Sequence, residues 1–388
     1  MNSLLMITTI PDTLTSFLLP FAQQFRNQGW RVDAMACGIS NCTECLQTFD
    51  RVWEVKWSRN PLDPHNLLVA PQTIREAIQQ GQYHIVHVHT PVASFVTRYT
   101  LKNWNKHPKP QVIYTAHGFH FHSEGKALKN LVFQALEKLA GYWTDYLVVI
   151  NREDEEAAKR QKLVPFERIC YMPGIGVDLQ YYSLDQTSEA EVRQVRQELG
   201  LKSQTPLLLS VAEFVPRKRP QDVLKAFARL AHREACLAFA GDGPLMPEIK
   251  QLASELGVQN QVRFLGYRKD IPILMRASVA TVLASEQEGL PRSVMESLSL
   301  ETPVIGTDIR GIRDLLTEGC GFLIKVGDVE GFARAIAHVL DHPQEASMMG
   351  KRGRERMSAY DLRHIIRLHE TLYAEALLRR HIMVQAPA

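Results

Sequence analysis

Two glutamates with seven residues between them, Glu288 and Glu296, enclose the run Gly289, Leu290, Pro291, Arg292, Ser293, Val294 and Met295. Pro291 predicts the first residue of a helix, because its missing N–H is one of the donors a helix start leaves unbonded anyway. Glu288 then lies on the loop ahead of the helix and Glu296 in its second turn. A helix start presents N–H groups and the positive end of its dipole, an arrangement suited to a phosphate. Carboxylates on either side can accept hydrogen bonds from sugar hydroxyls without competing for the anion. A solvated acidic helix would not need a loop shaped by Gly289 and Pro291 for close approach.

A second candidate is His117, in the run Tyr114, Thr115, Ala116, His117, Gly118, Phe119, His120, Phe121. Residues 112–116 read as a buried strand, which puts His117 at its carboxyl end, where open parallel sheets bind ligands. An imidazole there can donate a hydrogen bond to a sugar hydroxyl. His87 and His89 alternate onto one face of another strand, and His120 and His122 cluster nearby in sequence. Neither a carboxylate partner nor an Asp-x-Asp pair accompanies them, so no metal is expected. Cys37, Cys42 and Cys45 have part of the spacing of a plant-type iron–sulfur ligand set, but a suitable fourth ligand is missing. They read as free thiols, and the chain's six cysteines as reduced.

Elements that could position these residues follow from the hydrophobic pattern. Uniformly apolar strands are expected at 4–10, 32–37, 85–89, 112–116 and 146–150, with helices at 15–28, 73–80 and 129–140 between them. The pattern resumes after a polar helix at 187–200, with strands at 207–212, 236–240, 262–265, 279–284 and 304–306 and helices at 222–231, 247–256 and 329–340. Strands apolar on both faces and alternating with helices make parallel sheets covered on both sides. The expected class is therefore α/β, with two Rossmann-like doubly wound domains facing a cleft. Their expected bounds are 1–183 and 184–361, with a terminal helix at about 362–388 packing back on the first. A chain of 388 residues is long enough for two cores.

Composition narrows the function. With 45% hydrophobic residues the chain is globular, and a net charge of +3 spread among acidic residues argues against nucleic acid. The first twenty residues lack a charged leader and are broken by Pro11 and Asp12, so they read as strand and loop rather than signal peptide. No stretch has the length of a membrane span. A cytoplasmic location is expected, with attachment at the inner face of the plasma membrane left open.

The Glu288 to Glu296 pattern resembles the donor motif of retaining GT-B glycosyltransferases, the large family that includes sucrose synthases, bacterial mannosyltransferases and exopolysaccharide transferases. Ala240, Gly241, Asp242, Gly243 and Pro244 are similar to the family's turn after the second donor-domain strand. Phe264 to Tyr267 are similar to the stretch that lines the base, and Thr302 to Asp308 to a later strand and loop. The resemblance implies that Glu288 contacts the transferred sugar, Glu296 the ribose hydroxyls and Lys218 the phosphates. Arg217 is expected to replace a second phosphate cation, since Ala212 and Glu213 stand where the family has Gly and Arg. Gly241, Gly243, Tyr267, Gly289, Leu290 and Pro291 complete the implied donor set. The Tyr114 to Phe121 run is similar to the signature of a capsular and exopolysaccharide subgroup, in which the histidine at the place of His117 approaches the sugar.

Thr9, Phe119, His120 and Lys126 are assigned to the acceptor side, in a region whose lysines and phenylalanines suit a lipid-diphosphate acceptor at a membrane surface. The implied activity is retaining, metal-independent transfer of a hexose or N-acetylhexosamine from a UDP-sugar, which is substrate and not cofactor, to a glycan or lipid-linked acceptor of cell-surface polysaccharide synthesis. Two alternatives stand beside it: a nucleotide-sugar epimerase, and a non-catalytic nucleotide-sugar-binding protein, for which Glu213 is the motive.

Overall fold

The computed structural model describes residues 1–58, 60, 63–104, 109–122, 125–230 and 234–385. Two compact units divide the chain: Met1–Ile175 with Arg363–Ala388, and Gly176–Leu362.

The first unit is built on seven parallel strands, β1 (Ser3–Ile7), β2 (Arg31–Ala36), β3 (Val52–Glu54), β4 (Ile85–His89), β5 (Gln111–Ala116), β6 (Tyr146–Val149) and β7 (Ile169–Tyr171), in the order β3-β2-β1-β4-β5-β6-β7. The central strands are buried along their whole length, as the unbroken apolar runs require. β3 and β7 were not expected. Each is three residues long, at a sheet edge and only partly buried, so neither carries a continuous apolar run.

The second unit repeats the plan with β8 (Leu207–Val211), β9 (Cys236–Ala240), β10 (Val262–Gly266), β11 (Ala280–Leu283), β12 (Val304–Thr307) and β13 (Gly321–Ile324), ordered β10-β9-β8-β11-β12-β13. The sequence reading stopped this sheet at β12, because β13 is a half-buried edge strand that opens on glycine.

In both sheets the strand order reverses once, between β1 and β4 and between β8 and β11. Loops leaving the carboxyl ends on either side of a reversal diverge and open a crevice. In the first unit these are the loops that begin at Thr8 and Thr90; in the second they run through 212–218 and 284–291.

The division between units falls at 175, eight residues before the expected 183. Val177 and Tyr182 already belong to the second unit's core, and Arg354 donates to the carbonyls of Leu179 and Tyr182. The terminal helix Leu362–Gln385 belongs to the first unit, where Phe21 meets His369 at 4.9 Å and Phe25 meets Tyr373 at 4.8 Å. The helix expected at 15–28 instead starts at Pro11 and passes through a π-helical turn at Leu14–Leu18 before Leu19–Asn27. Pro20 has no N–H for the α-helical ladder, and the wider turn just ahead of it absorbs that defect.

Gly241 and Gly243 hold the loops after β8 and β9 together. At Gly241, with φ of 146°, a Cβ would lie 2.0 Å from the Ala212 carbonyl oxygen, and at Gly243 it would meet the Phe214 backbone at 2.7 Å. The Phe214 N–H is donated to the Asp242 carbonyl at 2.9 Å in this contact. The space these glycines leave is filled by protein backbone. Gly241→Ala is expected to destabilise the second unit by about 2 kcal/mol or more, from positive-φ strain and overlap with backbone, measured by urea unfolding; an unchanged midpoint would show that the two loops can part without cost.

Candidate functional site

The loops at the β8/β11 reversal are tied to each other at three points. Lys218 Nζ pairs with Glu288 Oε1, Arg219 Nη1 lies 3.7 Å from Glu286 Oε2, and the Glu286 N–H is donated to the Arg217 carbonyl at 2.9 Å. The Lys218–Glu288 pair is largely enclosed, with 13% and 9% of the two side chains exposed. An ion pair so placed retains its attraction because little water screens it, and losing either partner strands the other charge. Lys218 closes a short 3-10 turn, Pro216–Lys218, and Arg219 then takes the left-handed conformation, φ 49°, before Pro220 starts the next helix.

Pro291 caps the following helix in an extended conformation, φ −72° and ψ 120°, and Arg292–Ser299 is the helix proper. This corrects the expected start by one residue: Pro291 stands just outside and leaves the first helical position to Arg292. The helix is seated deeply, with Val294 through Ser299 buried and Thr281 Oγ1 2.8 Å from Ser297 Oγ. Leu290 packs against the second unit's core. Gly311, at φ 77°, lies so close to Gly289 that a Cβ would come within 2.0 Å of the Gly289 carbonyl oxygen.

Glu296 is buried and accepts the Tyr182 hydroxyl at 2.6 Å, with Arg292 Nε 2.7 Å from the same carboxylate oxygen. Burial raises its pKa, opposed by the charge of Arg292 and the Tyr182 hydrogen bond. Arg310, also buried, donates through Nε to the Glu288 carbonyl at 3.3 Å. The sequence reading missed Arg310, Tyr182 and Arg219. Arg310 had a legible signal, since it sits in the loop after a β-strand beside a glycine. Tyr182 had none, because its partner is 114 residues away.

Arg217 does not join this group. It is about half exposed, and its Nη2 reaches the exposed Glu213 carboxylate at 3.5 Å. Tyr267 is 81% exposed, just beyond the edge strand β10.

In the first unit, the β1/β4 reversal brings Thr9 and Thr90 together, Oγ1 to Oγ1 at 2.7 Å, with the Thr9 N–H also donated to Thr90 Oγ1 at 3.0 Å. The Thr9 carbonyl accepts Trp57 Nε1 at 2.8 Å. Beside them the histidines form one column, buried at His87, His89 and His369 and partly exposed at His117. His87 contacts the Tyr373 hydroxyl at 2.6 Å and Thr115 Oγ1 at 2.7 Å, and His89 Nδ1 lies 3.1 Å from His117 Nε2. His369, from the terminal helix, stacks on His87 with ring centres 5.8 Å apart. Burial, then the nearby His369, push the His117 pKa down to about 4, and burial does the same to His369. All four rings are therefore neutral near pH 7.

The acceptor-side residues separate. Phe119 and Phe121 stack on each other at 4.8 Å inside the first unit's core, with 2% and 3% exposure, which corrects their assignment to a binding surface. The sequence run could not show that the chain folds them under the sheet. His120 is exposed and sits 5.1 Å from the ring of Phe133, and Lys126 is exposed at the start of the helix Ala127–Gly141. Ser123 and Glu124, in the same segment, lie outside the described residues. Cys45 is fully buried and Cys42 Sγ lies 3.8 Å from Glu44. Among the described residues no three His, Cys, Asp or Glu side chains are grouped to hold a metal ion.

Two sheets of this kind, each with its crevice at the strand reversal, are the GT-B architecture, and solved structures share it over nearly the whole chain. HepE of Anabaena in complex with UDP aligns with a TM-score of 0.79 at 20% identity, covering 96% of this chain and 100% of that one. Sucrose-phosphate synthase from Thermosynechococcus elongatus aligns at 0.81 and 18% identity, covering 98% and 100%. In sequence, residues 15–181 match the Glycosyltransferase Family 4 model and residues 191–356 the Glycosyl transferases group 1 model. EpsD of Bacillus subtilis (strain 168) is 33% identical over 358 residues, 91% of each chain. The Escherichia coli UDP-Gal:alpha-D-GlcNAc-diphosphoundecaprenol alpha-1,3-galactosyltransferase is 28% identical over 69% of each. The chain belongs to the group 1 glycosyltransferases.

The histidine column makes stability depend on pH with a fixed sign. The unfolded chain takes up a proton at His369 near 6.5, the folded chain only near 4, so stability is lost as pH falls through that window and is unaffected above it. Replacing His369 by Gln should remove about one proton from this dependence, or about 1.4 kcal/mol per pH unit. Urea unfolding between pH 6.5 and 5 reads the slope; identical slopes in wild type and variant would show that His369 titrates normally in the fold.

Proposed function

We propose that this glycosyltransferase uses a UDP-sugar, transfers a hexose or N-acetylhexosamine with retention of anomeric configuration, and does so without a metal. The observation that carries the reading is the Lys218–Glu288 pair, set at the sheet reversal just ahead of the helix Arg292–Ser299. A cation and a carboxylate held side by side next to a helix start can divide one substrate between them. Lys218 and the helix start take the negative charge of the departing diphosphate, and Glu288 takes hydrogen bonds from the sugar. Glu296, whose second carboxylate oxygen is not engaged by Tyr182, takes the ribose hydroxyls.

Arg217 is left out of this assignment because Glu213 already shares its charge. Neutral His117, with Nε2 turned to His89, keeps Nδ1 for a sugar hydroxyl. Among the described residues no carboxylate stands out as a covalent nucleophile, which favours attack on the face the diphosphate leaves from. Support for the donor comes from HepE, crystallised with UDP and with UDP-glucose, and from the E. coli relative, whose name states a UDP-Gal donor and a diphosphoundecaprenol-linked acceptor. The proposed acceptor is a lipid-linked or other glycan of cell-surface polysaccharide synthesis, a reading that the diphosphoundecaprenol-linked acceptor of the E. coli relative supports.

In a thermal-shift screen without added metal, UDP and at least one UDP-sugar should raise the wild-type melting temperature, and Glu296→Ala should abolish the shift. Lys218→Ala should lower kcat by about a hundredfold or more, since it removes charge stabilisation specific to the leaving group. An NMR spectrum of the product should show the donor's anomeric configuration. A wild type that binds no nucleotide would overturn the donor assignment, one that binds a UDP-sugar but transfers it to no acceptor would move the chain to the non-catalytic reading, and a rearranged sugar formed without acceptor would make it an epimerase.

A further inference from the structure

The helix Ala127–Gly141 is amphipathic in the wrong sense for a protein surrounded by water. Leu128, Leu131, Val132, Leu136, Leu139 and, one residue beyond, Tyr142 recur at spacings of three and four and so share one face. That face points outward, with exposures from 38% at Leu136 to 80% at Tyr142. The helix cannot roll it inward, because its other face is fixed to the fold. Glu137 accepts hydrogen bonds from the buried Arg98 at 3.0 Å and from the Tyr114 hydroxyl at 3.1 Å. At the far end Gly141 lies against the Leu163 carbonyl so closely that a Cβ would come within 1.8 Å.

Charge identifies what covers the stripe. Glu137 is the helix's one acidic residue and is turned into the fold, so the charges at the surface of this segment, Lys126, Lys129 and Lys138, are all positive. Next to Tyr142 and Lys138 opens a cavity of about 560 Å³ lined also by Lys159, Lys162, Phe166 and Arg168. Lys159 is partly neutralised by Glu155 at 2.6 Å, whereas Arg168 Nε is buried without a hydrogen-bond partner. Phe166 is 71% exposed beside Tyr142 at the same rim. Apolar side chains flanked by lysines, with exposed aromatic rings at the edge, match the two parts of a lipid interface: acyl chains below, anionic headgroups around. A second copy of the chain fits poorly, since a two-fold axis through the stripe would set lysines against lysines. Among the described residues no helix is long and apolar enough to cross a membrane, so attachment through this face is peripheral.

We infer that the Leu128-to-Tyr142 face docks the first unit on a bilayer containing anionic lipid, with the Lys138–Arg168 cavity receiving a lipid phosphate. This surface replaces the one first sought around Phe119 and Phe121, whose rings are in the core. It gives a lipid-linked acceptor a place of delivery and in that respect deepens the proposed function. It is tested by binding alone, so failure of the docking and failure of the donor reading are distinguishable.

The experiment is co-sedimentation of the full chain with vesicles of phosphatidylcholine, with and without phosphatidylglycerol. Wild type should bind the anionic vesicles at least about tenfold more tightly, and lose most of that preference at about 0.5 M salt. Leu131→Asp with Leu136→Asp should weaken binding to anionic vesicles at least about tenfold. As both positions are exposed, the melting temperature should stay unchanged. Lys129→Glu with Lys138→Glu should remove the lipid preference. The inference is overturned if wild type stays in the supernatant with anionic vesicles. It is equally overturned if wild type is a dimer that the leucine variant converts to monomer without any vesicle binding, which would make the stripe a self-association surface.

Discussion

A single enclosed ion pair, Lys218 with Glu288, organises the second unit's crevice. Loops leaving β8 and β11 diverge because the strand order reverses between them, and without a cross-link their tips would be free to separate. The pair holds them, and neighbouring contacts reinforce it: Arg219 toward Glu286, the Glu286 N–H on the Arg217 carbonyl, and Arg310 on the Glu288 carbonyl. Burying two charges costs desolvation that their attraction only partly returns, so stability alone is a weak reason for such a pair. In the proposed function a substrate bearing both a diphosphate and hydroxyls gives each partner a further use.

The first unit solves the same topological problem with hydroxyls and imidazoles instead of charges. Thr9 and Thr90 bind each other across the β1/β4 reversal, and the histidine column runs from His117 at the sheet's carboxyl edge to Tyr373 on the terminal helix. Burial keeps these rings neutral, which lets them act as hydrogen-bond donors and acceptors inside a core that would not tolerate their charge. The terminal helix is thus part of the first unit's interior, and its His369 reaches the same column that supports His117.

Both sheets' central strands were legible because complete burial leaves an unbroken apolar run, as in Ile85–His89 or Cys236–Ala240. Edge strands β3, β7 and β13 were not, since three or four half-covered residues carry no such run. The pairing of Glu288 with Lys218, and of Glu296 with Tyr182, lies beyond any local pattern, because the partners are 70 and 114 residues apart. Phe119 and Phe121 show the same limit from the other side: aromatic residues next to a histidine look the same in sequence whether they line a surface or fill a core. The face of the helix Ala127–Gly141 is a further case, for its periodicity reveals a stripe but not the direction in which the stripe points.

The sequence by itself determined the class of fold, two parallel α/β sheets, and where their central strands end, because strand periodicity and the ends of strands are properties of consecutive residues. Tertiary structure alone decided which of those side chains meet. It joined Lys218 to Glu288, gave Arg217 to Glu213, sent two phenylalanines inward and turned a row of leucines outward. Those outcomes depend on how distant segments pack and which buried charges find partners, and no spacing along the chain encodes them.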